Sequence, residues 1–392
     1  MLAAAWVVSA VLLWQSAVPD DLHLPHLDLA RYFDAADLAR AARYERVVRW
    51  EWLVSQLALL AVLAVYARYG TRLMKESAAG PIGTGMVLGM LGLAIAWLVQ
   101  VPFDVFDLWW QRRHDLSKVS YWEQVFGGWF TLGAEFLFVC FALLVVMALA
   151  RWIGRWWWLA AAPVFVGLAA LFLFLSSYLI TDSRPLADPG LRAAARTYAK
   201  EQGLDPIPVR VEEVHELTTA PNAEAVGLGP SRRVFLWDTL LDGRFTDAQV
   251  RVVLAHELGH HSRHHLPKGI AWYALLAFPG AWLISLAVRQ RGGMGEPEAV
   301  PLSLLVLVGL QLVALPFVNV VTRHVEAEAD WVALETTRDP AAAEGLFERF
   351  ATTALAQPSP PTWSYLLFES HPTLEQRIAM AEAWKARQAA AR

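Results

Sequence analysis

Apolar residues gather into seven runs of spanning length or nearly so, at about 2–18, 50–66, 84–101, 129–150, 156–180, 270–288 and 300–321. A helix needs about twenty such residues to cross the hydrocarbon of a bilayer, so the pattern predicts a mostly α, integral membrane protein with seven transmembrane helices. The first run begins MLAAAWVVSAVLLW; it lacks the basic start of a signal peptide, and a retained helix is expected. Ala35 to Arg49 carries arginines on one polar helical face and reads as an extramembrane extension of the second span. Glu135, inside the fourth run, is costly to expose to lipid. It is therefore expected to face the bundle interior, through a helix-to-helix hydrogen bond or a water-filled cavity.

Between the fifth and sixth runs the pattern changes. From Thr181 to Gly269 the chain is polar with turn signals. A helix is expected over Gly190 to Gln202, ended by Gly203, and strands over Val209 to Val214, Ala220 to Leu228 and Arg233 to Trp237, the last two joined by Gly229-Pro230-Ser231. Pro221 and Gly227 suit an edge strand whose open backbone can pair with an extended peptide. The expected organisation is transmembrane helices one to five in 1–180 and the first half of a catalytic domain in 181–269. Helices six and seven follow in 270–321, and the second half of that domain with C-terminal helices in 322–392.

Composition agrees with this partition. At 392 residues and 56% hydrophobic, with a mean hydropathy of +0.36, the chain is long enough for a membrane bundle plus a soluble part. A formal net charge of −4 without a dense Lys/Arg block gives no reason to expect nucleic acid as a partner. The single cysteine, Cys140, lies in an apolar run and is expected to be a packed residue. No G-x-S-x-G elbow occurs, so covalent nucleophilic schemes have no signature. Trp109, Trp110, Trp122, Trp129 and Trp156 to Trp158 border the runs and are expected to sit at headgroup level.

The chemistry concentrates in Thr246 to His265, TDAQVRVVLAHELGHHSRHH. Thr246 and Gln249 make a capping box for a helix, and Val250, Leu254 and Leu258 form an apolar stripe on it. His256 and His260 are one turn apart on another face, with Glu257 beside them. Two imidazoles at this spacing suit Zn²⁺, and the neighbouring glutamate can take a proton from water, so this HExxH segment reads as the core of a metal-assisted hydrolase. Gly259 costs roughly 1 kcal/mol of helix propensity, which suggests that substrate or strand backbone comes close there.

Two histidines leave a zinc ion short of a protein ligand. Asn319 to Asp330, NVVTRHVEAEAD, supplies a pair of carboxylates, Glu326 and Asp330, that share a helical face. One can bind metal while the other accepts a hydrogen bond from a ligand histidine. Glu328 falls on a different face and is expected to be solvated. His261, His264, His265 and His324 are competing ligands, but none brings a carboxylate at helical spacing to back it.

HELGH, then N-x-x-T-R-x-x-E-x-x-A-D (Asn319, Thr322, Arg323, Glu326, Ala329, Asp330), preceded by PNAEAVGLGPSRRVFLWDTLL, resembles the integral-membrane zinc metallopeptidases of the CAAX prenyl protease type 1 family, which are of gluzincin type. The likeness extends to SHPTLEQRI (Ser370 to Ile378) and more weakly to PFDVFDLWWQRRHDLS. Thr322 stands where the family usually has serine, and Pro102 to Ser117 departs further from the eukaryotic pattern. The resemblance implies seven helices around a large intramembrane chamber, with an inserted α+β zincin-like catalytic domain facing into it from the cytoplasmic side. It implies His256, His260 and Glu326 as the ligands of one Zn²⁺ per chain, Glu257 as general base, and Asp330 as their hydrogen-bonded partner or a proton donor. Asn222 and Ala223 would hold the substrate backbone, with Asn319 and Arg323 also counted as substrate-binding, and His371 would assist the developing oxyanion.

The expected function is that of a multi-pass membrane zinc endopeptidase, acting as a monomer in a bacterial inner membrane or endoplasmic reticulum type of bilayer on a peptide or membrane-protein substrate. A proteolytically idle clearance factor and a histidine-relay transporter are the alternatives. The complete HExxH and glutamate set argues against the first and the lack of an internal repeat against the second.

Overall fold

The computed structural model describes residues 2–73 and 80–390. Its helices follow the apolar runs: α1 (Leu2–Leu13), α2 (Ala35–Tyr69), α3 (Gly80–Arg113), α4 (Tyr121–Ile153) and α5 (Trp157–Leu179) precede the polar region. There follow β1 (Ser183–Pro185), α6 (Pro189–Glu201), β2 (Val209–Glu212), β3 (Ala223–Val226), β4 (Arg233–Trp237) and α7 (Asp247–Ser262). Then come α8 (His265–Ala287), α9 (Val300–Thr337), α10 (Pro340–Thr353), α11 (Thr362–Phe368) and α12 (Leu374–Ala390).

Five helical stretches among the described residues are long and apolar enough to cross a membrane, one of them, Tyr121–Leu179, comprising α4 and α5 with the turn Gly154–Trp156 between them. The first apolar run departs from expectation. Its helix has 12 residues, about 18 Å at 1.5 Å per residue, which is short of a hydrocarbon core. The chain leaves the helix at Trp14 because residues 14–18 turn to dock elsewhere: the Trp14 ring stacks on His324 at 4.0 Å, and His324 Nε2 donates to the Trp14 carbonyl at 2.7 Å. The structure thus supplies five apolar stretches and a short seventh helix rather than seven equal spans.

Small residues let the long helices close on one another, as expected where no hydrophobic effect separates helix from lipid. A Cβ at Gly89 of α3 would collide with Leu143 of α4, and one at Gly92 would lie 2.9 Å from the Tyr66 ring of α2. Tyr66 donates its hydroxyl to the Leu88 carbonyl at 2.6 Å, tying α2 to α3. Glu135 is exposed and makes no hydrogen bond among the described residues, so the expected helix-to-helix bond does not form. Of the tryptophans expected at headgroup level, Trp122, Trp129 and Trp156 are exposed, whereas Trp157 is buried among Leu143, Met147 and Val288. Arg49, at the end of the polar helical face that begins at Ala35, is buried, bonded to Glu45 at 2.8 Å and to Gln357 at 3.0 Å.

The sheet has the order β1-β2-β4-β3. β1 pairs antiparallel with β2 (Ser183↔Glu212), β2 runs parallel to β4 (Val209↔Val234), and β3 pairs antiparallel with β4 (Ala223↔Leu236). β3 is therefore an edge strand, as Pro221 and Gly227 suggest; β1 has no apolar alternation to announce it. One core joins Val211, Val234 and Leu236 of the sheet, Leu254 and Leu258 of α7, Trp331 and Leu334 of α9, and Leu346 and Ile378 beyond it. Leu27 and Phe33, from the connection between α1 and α2, enter the same core.

Because α6 and α12 share that core, they must lie on one side of the membrane, with the turn after α8 on the other. Single cysteines replacing Arg196 and Ala386, in a chain lacking Cys140, are expected to react with a membrane-impermeant thiol reagent from the same side and Gln290→Cys from the opposite side. Opposite reactivity of the first two would refute the arrangement.

Candidate metal centre

Thr246 starts α7 as expected: its Oγ1 accepts from the Gln249 backbone at 3.3 Å and the Gln249 side chain accepts from the Thr246 N–H at 2.9 Å. Val250, Leu254 and Leu258 are buried in the core, which turns His256, Glu257 and His260 toward α9 and the edge strand. What comes close at Gly259 is α9 rather than substrate or a strand. A Cβ there would meet Val332 Cγ1 at 3.4 Å and the Ala329 Cα at 3.6 Å. At that separation the carboxylate of Glu326, one turn before Asp330, reaches the two imidazoles.

The donor atoms of His256, His260 and Glu326 lie within 4.8 Å of one another, the one group of this kind among the described residues. His256 Nε2 is 3.1 Å from His260 Nε2 and 3.2 Å from Glu326 Oε2, and His260 Nε2 is 3.6 Å from Glu326 Oε1. The far nitrogen of each ring is engaged. His256 Nδ1 lies 2.9 Å from Asp330 Oδ1, and His260 Nδ1 lies 3.0 Å from His265 Nδ1. With Nδ1 as donor in both rings, two lone pairs and a carboxylate converge on one point, an arrangement that repels itself unless a cation sits there. Glu326 Oε2 is shielded from solvent and accepts no protein hydrogen bond. This donor set fits a zinc ion.

The electrostatics agree. Burial alone would lower the His256 imidazole, but the Asp330 carboxylate bonded to it and the Glu326 carboxylate beside it outweigh burial and hold the ring up at about 10. Burial, reinforced by the neighbouring imidazoles, takes His260 down to about 3. These carboxylates favour one positive charge between them, and a proton on His256 or a metal cation satisfies that demand. Burial also raises Glu257 to about 7, with the Glu326 charge adding to the effect. A carboxyl group balanced there can take and return a proton near neutrality.

Both oxygens of Asp330 are occupied: besides His256, Arg377 of α12 donates from Nε to Oδ2 at 2.8 Å and from Nη2 to Oδ1 at 2.6 Å. Arg377 was not anticipated. It lies in the SHPTLEQRI segment, six positions after His371, and nothing local in the sequence points it toward Asp330. His371 has an exposed ring whose Nε2 lies 3.2 Å from Glu326 Oε2. It does not cap the following helix, since Thr373 and Gln376 form that capping box. Asn319 and Arg323 lie outside the cleft wall. Asn319 Nδ2 donates to the Leu367 carbonyl at 2.8 Å, and Arg323 Nη1 donates to the carbonyls of Tyr365 at 2.8 Å and Glu369 at 2.6 Å. They brace the segment that carries His371.

Glu328 is the largest departure. It is 1% exposed rather than solvated, and accepts hydrogen bonds from Arg263 Nε at 2.6 Å, His265 Nε2 at 3.0 Å and the Ala17 N–H at 2.8 Å. The competing histidines are accounted for as well. His261 bonds the Arg233 carbonyl, His264 precedes α8 in a left-handed conformation, and His265 touches His260 but not the convergence point.

A cleft of about 350 Å³ opens over the three donors. It is lined by β3 (Ala223, Glu224, Ala225) and α9 (Val321, Thr322, Val325), together with Trp272 and His371. Asn222 is exposed at the head of the edge strand and Ala223 lines the cleft. The arrangement can hold a divalent cation, present a base beside it and align an extended chain along β3.

Residues 185–385, a little over half of the chain, match the model of peptidase family M48. An uncharacterized metalloprotease YhfN of Bacillus subtilis is 27% identical over 94% of this chain and 90% of its own length. A CAAX prenyl protease 1 homolog of Arabidopsis thaliana is 21% identical over 74% of this chain and 72% of its own. A protease HtpX homolog of Acidiphilium cryptum is 29% identical over 59% of this chain and 89% of its own. The crystal structure of S. mikatae Ste24p matches with a TM-score of 0.75 over 97% of this chain and 96% of that chain, at 18% identity. That last likeness bears on the fold.

The bond from Asp330 to His256 has a measurable consequence. Asp330→Asn is expected to weaken zinc binding roughly 10–100-fold, measured in competition with a chelating dye, and an unchanged affinity would mean that His256 is oriented by something else.

Proposed function

The chain belongs to peptidase family M48 and is a multi-pass membrane zinc metalloprotease, and from that premise we propose that it is an endopeptidase whose site is His256, His260, Glu326 and Glu257, with one zinc ion per chain. The observation that carries the reading is the convergence of two outward-tethered imidazoles and a buried carboxylate beside a glutamate raised to about 7. His256, His260 and Glu326 would hold the zinc ion, which would supply Lewis acidity for a scissile carbonyl and for water, whose pKa such an ion brings toward about 7. Glu257 takes the proton from the attacking water and delivers it to the leaving amine. His371, whose exposed ring reaches the site with Nε2, donates toward the developing oxyanion. Asp330 and Arg377 hold the His256 ring so that its Nε2 faces the cleft.

The substrate lies extended along the outer edge of β3, whose backbone is paired on one side only, with Asn222 and Ala223 against its main chain. Val321, Val325 and Trp272 make the opposite wall apolar, which suits segments delivered at the membrane boundary. A prenylated C-terminal peptide, the substrate type in the Arabidopsis relative's name, is one such segment. The catalytic domain is assembled from 181–269 and 322–392 and lies on the cytoplasmic side, and the unit is a monomer.

Two variants separate the roles. Glu257→Gln keeps size and hydrogen-bonding capacity but removes the base, so cleavage is expected to fall by at least about 10²–10⁴-fold with zinc content unchanged. Peptides trapped by this variant will identify the substrate and show whether it carries a prenyl group. Glu326→Ala is expected to lose bound zinc and activity together, and the native protein is expected to do the same on treatment with a chelator. Near-native cleavage by Glu257→Gln would rule out this mechanism, and a full zinc complement in active Glu326→Ala would move the third ligand elsewhere.

A further inference from the structure

The structure holds a second carboxylate support, separate from Asp330, directed at the other imidazole. Glu328 projects from α9 on the side away from Glu326, and it is 1% exposed. Its partner His265, at the start of α8, is 4% exposed. His265 Nε2 lies 3.0 Å from Glu328 Oε2, and His265 Nδ1 lies 3.0 Å from His260 Nδ1. We propose that Glu328 is a positioning residue for the metal centre: it orients His265, and His265 in turn orients the ligand His260.

The protons along this line can be assigned. His260 faces Glu326 and His256 with Nε2, so its proton sits on Nδ1 and is donated to His265 Nδ1. That leaves the His265 proton on Nε2, where it is donated to Glu328. A carboxylate at the end fixes the direction of both bonds, since an ionised carboxylate can only accept. A neutral group there would allow both imidazoles to reverse, which would put a proton on the His260 nitrogen that faces the metal.

The charge of Glu328 is itself secured. Arg263 Nε donates to Oε1 at 2.6 Å, Lys268 Nζ lies 3.3 Å from Oε2, and the Ala17 N–H donates to Oε1 at 2.8 Å. Lys268 also reaches the Gln15 carbonyl at 3.3 Å. Glu328 thus joins the end of α7, the start of α8, α9 and the segment after α1 at one point, one imidazole away from a ligand. The two ligand histidines are then backed in parallel: His256 by Asp330 and Arg377, and His260 by His265, Glu328 and its cations.

The inference rests on the metal site proposed above, and the test separates the two. The full-length protein, its His265→Phe and Glu328→Gln variants, the double variant and His260→Ala are purified in detergent, stripped of metal and titrated with zinc against a chelating dye. Thermal melting of the stripped proteins reports the fold. Each single variant is expected to bind zinc roughly 10–100-fold more weakly. The double variant should lose no more than the weaker-binding single, because Glu328 acts only through His265. Cobalt substitution should show shifted absorption bands in both singles as the His260 ring reorients. Unchanged affinity and cobalt spectra in His265→Phe, or losses that multiply in the double variant, would overturn the relay. Should Glu328→Gln fail to fold with Arg263 and Lys268 uncompensated, His265→Phe, which removes no charge, decides alone. A native protein that takes up no zinc, or full affinity in His260→Ala, would overturn the site and the relay together. One zinc in the native protein with His265→Phe unaffected overturns the relay only.

Discussion

The contact between α7 and α9 is the constraint on which the rest depends. Along it Leu254, Leu258 and Ala329 are fully buried, and Gly259 brings the helices so near that a single methyl group would already touch Val332. At this separation a glutamate on α9 spans the gap to two histidines on α7. A turn further on, an aspartate reaches behind the first of them. A wider gap, filled by larger side chains, would leave three good ligands too far apart to share an ion. Packing density here sets the spacing of the three donors, so part of the core's tightness serves their convergence.

The polar groups around the site follow from that burial. Three carboxylates, Glu326, Glu328 and Asp330, lie on one stretch of α9 and each is nearly sealed from water. Buried charge persists only where it is matched. Arg377 matches Asp330, while Arg263, Lys268 and His265 surround Glu328. The oxygen of Glu326 that lacks a protein donor therefore stands out, and its neighbours are two ring nitrogens. Among these three carboxylates the unmatched buried oxygen is the one in the cleft, where a cation can reach it.

Much of this was readable along the chain because it is encoded locally. The Thr246–Gln249 cap, the HExxH pair, the edge strand and the pairing of Glu326 with Asp330 all depend on residues within a few positions of each other. Helical periodicity recovers them. Glu328 was read as solvated because it faces away from Glu326, and on a two-sided amphipathic helix that face would meet water. In α9 it meets residues 14–17 and the start of α8 instead, and no local pattern announces a third packed side. Arg377 lies 47 positions from Asp330, and β1 has only three residues; both are defined by their partners. The apolar run at 2–18 looked like a span because its composition is continuous, but the helix stops at Leu13 where Trp14 finds His324. Asn319 and Arg323 follow the family motif, yet their side chains are committed to carbonyls around α11.

α9 is a single helix of 38 residues, Val300–Thr337, about 57 Å long at 1.5 Å per residue. Its first half is apolar and its second half carries Glu326 and Asp330, while His256 and His260 lie before the α8–α9 hairpin. The order of synthesis then matters. When α7 leaves the ribosome it holds two histidines and a base but neither the third donor nor Arg377. Those arrive only after the hairpin has been made and threaded through the bilayer. A chain released early, or one whose hairpin stays outside the lipid, carries the HExxH helix without a competent centre. The HExxH helix is thus one half of a pair, and the length of the α8–α9 hairpin sets how far behind it in the chain the other half lies.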